Sequence, residues 1–412
     1  MGFLAEILLA AAMLASGSLN TIAKKIMYQT KGKNIDGELE YYSKPWLCTF
    51  VMFCGESMCM VIFYLFALYY KCTKPTDGGT VSSISEIAPE SNEAKIVFVS
   101  REEVNSDPTG GLRWKFPFCV TLFALCDLLS TTLTGIGLVY CNASVVQILR
   151  GFVIVFTMIN GRIFLKRIPT LHHILGVVFA IVGLAIVGTS AVLSDKSSSG
   201  HSIKDTFLGI GLVIVAQIFS SIQFVFEEKL LKQNTSKTGP IPSLFLVGSE
   251  GIAGAILSIA VALPVTNAIP GNDHGSYENM KNSFYMMFHN PLITGLQFLY
   301  FVSIAFFNWF SFVYSKALSA TARTLVDACR TILVWIVMVI VFYSVPSRIY
   351  GEGVSLYSIL QCFGFVLMML GTTTHNNIAN FGVKITSCCK KPEDNVNQQP
   401  LLITTDEKEG NK

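Results

Sequence analysis

Charge is what this chain has least of. Asp, Glu, Lys and Arg make up 14% of its 412 residues, against roughly 25% in ordinary soluble domains, while hydrophobic residues make up 51%. That balance excludes a soluble fold and points to an all-α polytopic membrane protein. No Walker-type phosphate loop occurs, which excludes pumping by ATP hydrolysis. The eleven cysteines show no zinc-ligand spacing, and most (Cys54, Cys59, Cys119, Cys126, Cys329, Cys362) fall inside apolar runs, where they read as small buried residues. Nor is there a nucleophile beside a base. The adjacent His172 and His173 open a helix with no acidic ligand near them, so they read as an interfacial pair, and neither a catalytic nor a metal site is assigned. The chain is therefore not read as an enzyme such as an acyl- or glycosyltransferase, and no cofactor is implied. No basic residue precedes the first apolar run, and Lys24 and Lys25 follow it, which favours an uncleaved span over a signal peptide. Glu6 stands where myristoylation needs Ser or Thr.

What is present is a series of apolar runs. Ten spans are predicted, at about 3–23, 46–70, 116–139, 142–163, 170–193, 205–226, 243–263, 291–314, 317–343 and 355–378. Residues 72–112 are polar and rich in Ser, Thr, Glu and Gly, and are predicted to be a disordered cytosolic insert, as is the tail 381–412. With the N-terminus in the cytosol, loops and tail place eighteen basic residues inside against nine outside, although the first loop dissents. Both termini are thus expected in the cytosol. The sequons at Asn142 and Asn234 are then out of reach of glycosylation, and Cys388-Cys389 is a candidate for palmitoylation.

The halves 1–195 and 205–380, joined by 196–204, look like copies. Val139-Tyr-Cys-Asn-Ala143 closes the third span and Val313-Tyr-Ser-Lys-Ala317 the eighth. Gly176 and Gly183 match Gly364 and Gly371 at the same separation, and Gly55-Glu56 matches Gly248-Ser-Glu250-Gly. The end of the first span, SLNTIAKK, resembles that of the sixth, SIQFVFEEK. Five is odd, so the second copy must enter the membrane from the opposite side, as in many secondary transporters. The expected fold is ten transmembrane helices in two inverted five-helix repeats.

The ninth span carries Arg323, Asp327 and Arg330 on one helical face. The fourth carries Gln147 and Arg150 three residues apart. A charge at mid-bilayer costs about 2.5–3.5 kcal/mol on insertion scales and so faces a protein interior or a wet cavity. Arg150, Arg323 and Arg330 suit forked recognition of a carboxylate or phosphate, and Gln147 and Asn20 can add neutral hydrogen bonds. The competing reading is a structural net of Arg323–Asp327–Arg330 completed by Glu56, Glu250 or Asp127. The repeats align Arg150 with either Asp327 or Arg330, and the sequence does not choose. Glu250 and Glu56, beside matched glycines, and Asp127 are candidates for proton coupling or ion pairing.

The segments Leu149-Arg-Gly-Phe-Val-Ile-Val-Phe-Thr157, Phe164-Leu-Lys-Arg through Gly176 to Gly183, and Ser319-Ala-Thr-Ala-Arg-Thr-Leu-Val-Asp-Ala-Cys-Arg-Thr331 resemble the EamA-like drug/metabolite transporter superfamily, and within it the F subfamily of solute carrier family 35. Phe226-Glu-Glu-Lys229, Val247-Gly-Ser-Glu-Gly251 and Ser303-Ile-Ala-Phe-Phe-Asn308 fit the same relatives. The resemblance covers nearly all ten spans but not the insert. It implies alternating access around a central cavity to which spans four and nine contribute, and a lysosomal or late endosomal membrane, with the Golgi second. Chloroquine-resistance-type cousins carry cysteines between spans seven and eight; residues 264–290 here have none. Pro400-Leu-Leu402 resembles a dileucine sorting signal without its acidic residue, Asn397 standing there.

The expected function is secondary transport of a small polar solute, anionic or zwitterionic, coupled to protons or an exchanged counter-solute. A nucleotide-sugar antiporter is the alternative within that class, and a non-transporting membrane adaptor the alternative outside it. Besides the solute, the expected partners are membrane lipids and not nucleic acid; a homodimer stays open.

Overall fold

A computed structural model of the chain describes residues 3–73, 103–104, 108–109, 114–140, 146, 149–194, 203–232, 241–344, 353–354 and 356–377. The sequons, nearly all of the 72–112 insert, the tail, Gln147 and most of the linker lie outside the described residues. The helices are α1 (Phe3–Gln29), α2 (Pro45–Cys72), α3 (Phe116–Tyr140), α4 (Phe152–Leu165), α5 (Leu171–Ser194), α6 (Ile203–Leu231), α7 (Ser243–Leu257, continued through a π-turn at Ser258–Ala262 into Leu263–Ala268), α8 (Met280–His289), α9 (Pro291–Ala317), α10 (Ala320–Ser344) and α11 (Tyr357–His375). Nine of these, all but α4 and α8, are long and apolar enough to cross a membrane. Ten were expected. The shortfall is α4, described as a regular helix only over 14 residues, because much of 141–148 lies outside the described residues.

Helices suit this setting because they satisfy every backbone group within one segment. Their ends carry local signals. Pro45 and Pro291 open α2 and α9, where a missing N–H costs nothing. Lys166, at φ 55°, turns the chain left-handed to close α4. The Ser319 hydroxyl accepts the Ala322 N–H (3.0 Å) at the start of α10.

Packing follows the glycines. The main helix pairs are α5–α11, α3–α6, α2–α7 and α1–α9, followed by α4–α6, α2–α9, α1–α10, α3–α7 and α4–α10. A Cβ on Gly183 would stand 2.6 Å from the Gly364 carbonyl oxygen, and one on Gly371 2.6 Å from that of Gly176. The glycines matched by sequence therefore meet crosswise at the α5–α11 contact. On α7, Gly248, Gly251 and Gly254 lie against Met60, Ser57 and Phe53 of α2, which brings Glu56 beside Glu250. Backbone cannot yield here as a flexible side chain would. Gly183→Ala is expected to cost at least about 1–3 kcal/mol by overpacking, seen as a lower melting midpoint in detergent, whereas Gly135→Ala, with nothing within 4 Å, serves as the neutral control.

Two elements escaped the sequence reading. Residues 31–41 form a hairpin, β1 (Lys31–Lys33) antiparallel to β2 (Leu39–Tyr41), with Gly37 at φ 86° in the turn. Helix α8 begins at Asn279, whose side chain accepts the Asn282 N–H at 3.1 Å. Hairpin and α8 meet over one end of the bundle: the Ile35 N–H donates to Asn282 Oδ1 (3.2 Å), and the Lys33 N–H to Asn290 Oδ1 (2.9 Å).

Candidate functional site

Two groups of ionisable side chains lie between the helices. The first surrounds Arg323, which sits one turn into α10. Its guanidinium is 6% exposed and donates to Glu227 Oε2 of α6 at 2.8 Å, with the Glu227 side chain fully buried. Phe224 and Phe312 face the guanidinium, their ring centres 4.3 and 5.3 Å away. Beside this pair, the Gln223 amide donates to Glu250 Oε1 (2.8 Å), and the Asn308 amide of α9 donates to Glu56 Oε1. Asp127 of α3 is half-buried and hydrogen-bonded to Thr131. The four carboxylates of α2, α3, α6 and α7 are close enough for their charges to act on one another, and Arg323 acts on all four.

The second group lies two turns further along α10. Arg330 pairs with Asp327, both nitrogen–oxygen contacts at 3.4 Å, and its guanidinium lies 5.0 Å from the ring centre of Phe307. Room for Arg330 comes from α1: a Cβ on Gly17 would stand 2.9 Å from its Cδ. Asn20, one turn on from Gly17, is buried. Arg150 is solvent-accessible and within reach of the charges of Asp327 and Arg330, but forms no ion pair within 4.0 Å among the described residues. Lys24 of α1 is in turn within reach of Arg150. Tyr300 of α9 feels Arg330 from this group and Glu56 and Asp127 from the other, so it stands between them.

The continuous net Arg323–Asp327–Arg330 is therefore corrected. A helical side chain leans toward the helix N-terminus, which carries Arg323 away from Asp327 to Glu227 and lays Arg330 back onto Asp327. Glu227 and Gln223 were not singled out from sequence; their one local signal is the spacing of four that puts both on a single face of α6.

Each end of the bundle is tied by carboxylates. At the hairpin end, Glu278 receives the Trp46 and Leu47 N–H groups, both at 2.9 Å, and so caps α2 from across the molecule. Lys44, 2% exposed, pairs with Asp273 (2.6 Å) and Glu40 (3.3 Å). At the far end, Glu228 accepts from Arg167 (2.5 Å), Lys232 (2.8 Å) and the Ala320 N–H at the start of α10 (2.9 Å). Burial pushes the Glu278 carboxyl up to about 7, against the opposing pull of the two N–H groups and Lys44.

Long apolar helices enclosing buried ion pairs define an integral, multi-pass membrane protein with a polar interior. The description Solute carrier family 35 matches residues 112–267. Solute carrier family 35 member F6 of Homo sapiens is 30% identical over 381 residues, 90% of this chain and 89% of its own length. The Pongo abelii protein of the same name is 29% identical over 405 residues, 96% of this chain and 95% of its own. An uncharacterized protein of Schizosaccharomyces pombe is 30% identical over 264 residues, 64% of this chain and 75% of its own length. A solved crystal structure, 11% identical, shares the fold with a TM-score of 0.53, covering 91% of this chain and 98% of its own. The chain belongs to the F subfamily of solute carrier family 35 and is, by that membership, a solute transporter.

Proposed function

We propose that the chain is a secondary-active carrier that moves a small polar solute, zwitterionic or anionic, across an endomembrane by alternating access. The observation that carries this reading is the solvent-accessible Arg150 beside the Asp327–Arg330 pair, with four carboxylates deeper in the bundle. Charged groups at such depth are costly unless they serve a passing polar ligand or one another. The helix pairing supports two inverted halves, 1–195 and 205–380. Exchanging the first five spans with the last five turns α1–α9 into α6–α3, α4–α6 into α10–α1 and α2–α9 into α7–α3, all of which occur, and leaves α5–α11, α2–α7 and α4–α10 unchanged. Rocking of one half against the other would break the hairpin-end ties and the Glu228 ties in turn. The insert and tail then flank the halves on the cytosolic side. Following the family resemblance, the membrane is lysosomal or late endosomal.

Coupling falls to protons on Glu250, Glu56 or Asp127, or to an exchanged counter-solute. Nucleotide-sugar exchange is the weaker reading, since a polyphosphate would meet four carboxylates with one guanidinium among them. Uptake into proteoliposomes from a mixed metabolite pool tests the proposal. Arg150→Ala is expected to reduce uptake at least tenfold, and Glu250→Gln to abolish its acceleration by an acid gradient. Equal uptake by wild type and both variants would remove these assignments.

A further inference from the structure

The chamber around Arg323 is short of two things at once, positive charge and hydrogen-bond donors. Four carboxyl groups share a single guanidinium. Each donor in hand is already committed: Arg323 to Glu227 Oε2, the Gln223 amide to Glu250, the Asn308 amide to Glu56 and Thr131 to Asp127. Two buried oxygens, Glu227 Oε1 and Gln223 Oε1, have no donor among the described residues. Both sit on side chains of α6 that are at least nine-tenths buried. Orphaned acceptors of this kind are uncommon, because leaving one unbonded costs about 1–3 kcal/mol. An anion supplies neither missing item. A primary ammonium supplies both, with one positive charge and three N–H donors on a small tip.

We propose that this chamber binds the protonated amine of the carried solute, with Glu227 Oε1 and Gln223 Oε1 as its acceptors, so that the solutes are amines and amino-zwitterions rather than free polyanions. The inference rests on the carrier reading above and narrows it. The group around Arg150, Arg330 and Lys24 lies beyond Tyr300 and has the opposite charge balance, which suits the acid end of the same solute. Seven residues of helix separate Arg323 from Arg330, a rise of about 10 Å, so a solute engaging both groups carries its charges several bonds apart.

The test uses full-length protein in nanodiscs and compares 6-aminohexanoate, 1,6-diaminohexane, adipate, tetramethylammonium and sodium chloride by saturable thermal stabilisation. The two primary amines are expected to stabilise, and adipate, tetramethylammonium and sodium not to. Glu227→Gln is expected to weaken amine binding at least tenfold. Gln223→Leu, which removes the second acceptor and leaves the Arg323 ion pair in place, is expected to weaken it about tenfold and guards against a folding defect in the first variant. Arg150→Ala should weaken 6-aminohexanoate and spare the diamine. Adipate binding in place of the amines, equal stabilisation by sodium, or amine binding unchanged in both α6 variants would overturn the proposal. Uptake of bound 6-aminohexanoate into liposomes is read separately. Binding without uptake supports the chamber and removes the carrier reading; uptake of some other solute without amine binding does the reverse.

Discussion

Arg323→Ala is expected to lower the melting midpoint of the purified protein by on the order of 5 °C, whereas Arg330→Ala, on the same helix, should change it little. The two pairs look alike in sequence, and burial separates them. Arg323 is 7% and Glu227 0% exposed at the side chain, against 20% and 35% for Arg330 and Asp327. Breaking a buried pair by removing one partner strands a charge, at about 3–5 kcal/mol, while half-exposed pairs are worth about 0–1 kcal/mol. A few hundred ordered residues, at about 2 cal/mol/K each, convert the larger figure to that temperature shift. Adding Glu227→Gln to Arg323→Ala removes the stranded charge and should recover most of the loss. If the double variant melted no higher than the single one, the stranded carboxylate would not be the cause of the instability.

The class of the molecule was legible in its apolar runs, because lipid-facing helices need composition and length and nothing more specific. The crosswise glycines were legible as a repeat (Gly176 and Gly183 with Gly364 and Gly371), since a close backbone approach demands glycine wherever it occurs. Glu227 was not. It stands in a charged run at the end of α6 that resembles any interfacial helix end, and its partner lies 96 residues away. The spacing within α10 suggested one continuous net, but spacing carries no information on which way a side chain leans. Hairpin and α8 were passed over because both are short segments of polar loop. Their stability comes from Asn282, which donates to Asp273 (3.0 Å) and Glu40 (3.2 Å), and from Lys44, contacts that no local pattern announces.

Those same contacts lead to the other large effect. Glu278→Ala should open the hairpin end of the bundle, and Cys48 reports it. Cys48 lies one residue past the N–H groups that Glu278 receives, is fully buried, and has Gln297 as its side-chain neighbour at 3.9 Å. Losing two charge-assisted bonds to the first turn of α2 costs about 3 kcal/mol or more, which makes the open form roughly a hundredfold more populated. Alkylation of Cys48 by a membrane-impermeant thiol reagent, normalised to the exposed Cys72, should rise accordingly. Glu278→Gln keeps a carbonyl acceptor in place and should stay near wild type. The pH dependence runs in a definite direction. In the closed seal the carboxyl titrates at about 7, above its ordinary value of 4.5, so the closed form binds a proton more tightly than one with Glu278 in water. Acid between those two values therefore favours closure, and the normalised alkylation of wild type should increase as pH rises through 7. Lys44 opposes this by favouring the carboxylate and Asp273 adds to it, so Lys44→Ala should loosen the seal and steepen its response to alkali. Alkylation that is flat with pH and indifferent to Glu278→Ala would mean that the hairpin end is held shut by its apolar contacts alone, among them Met286, Met287 and Ile293 against Leu47.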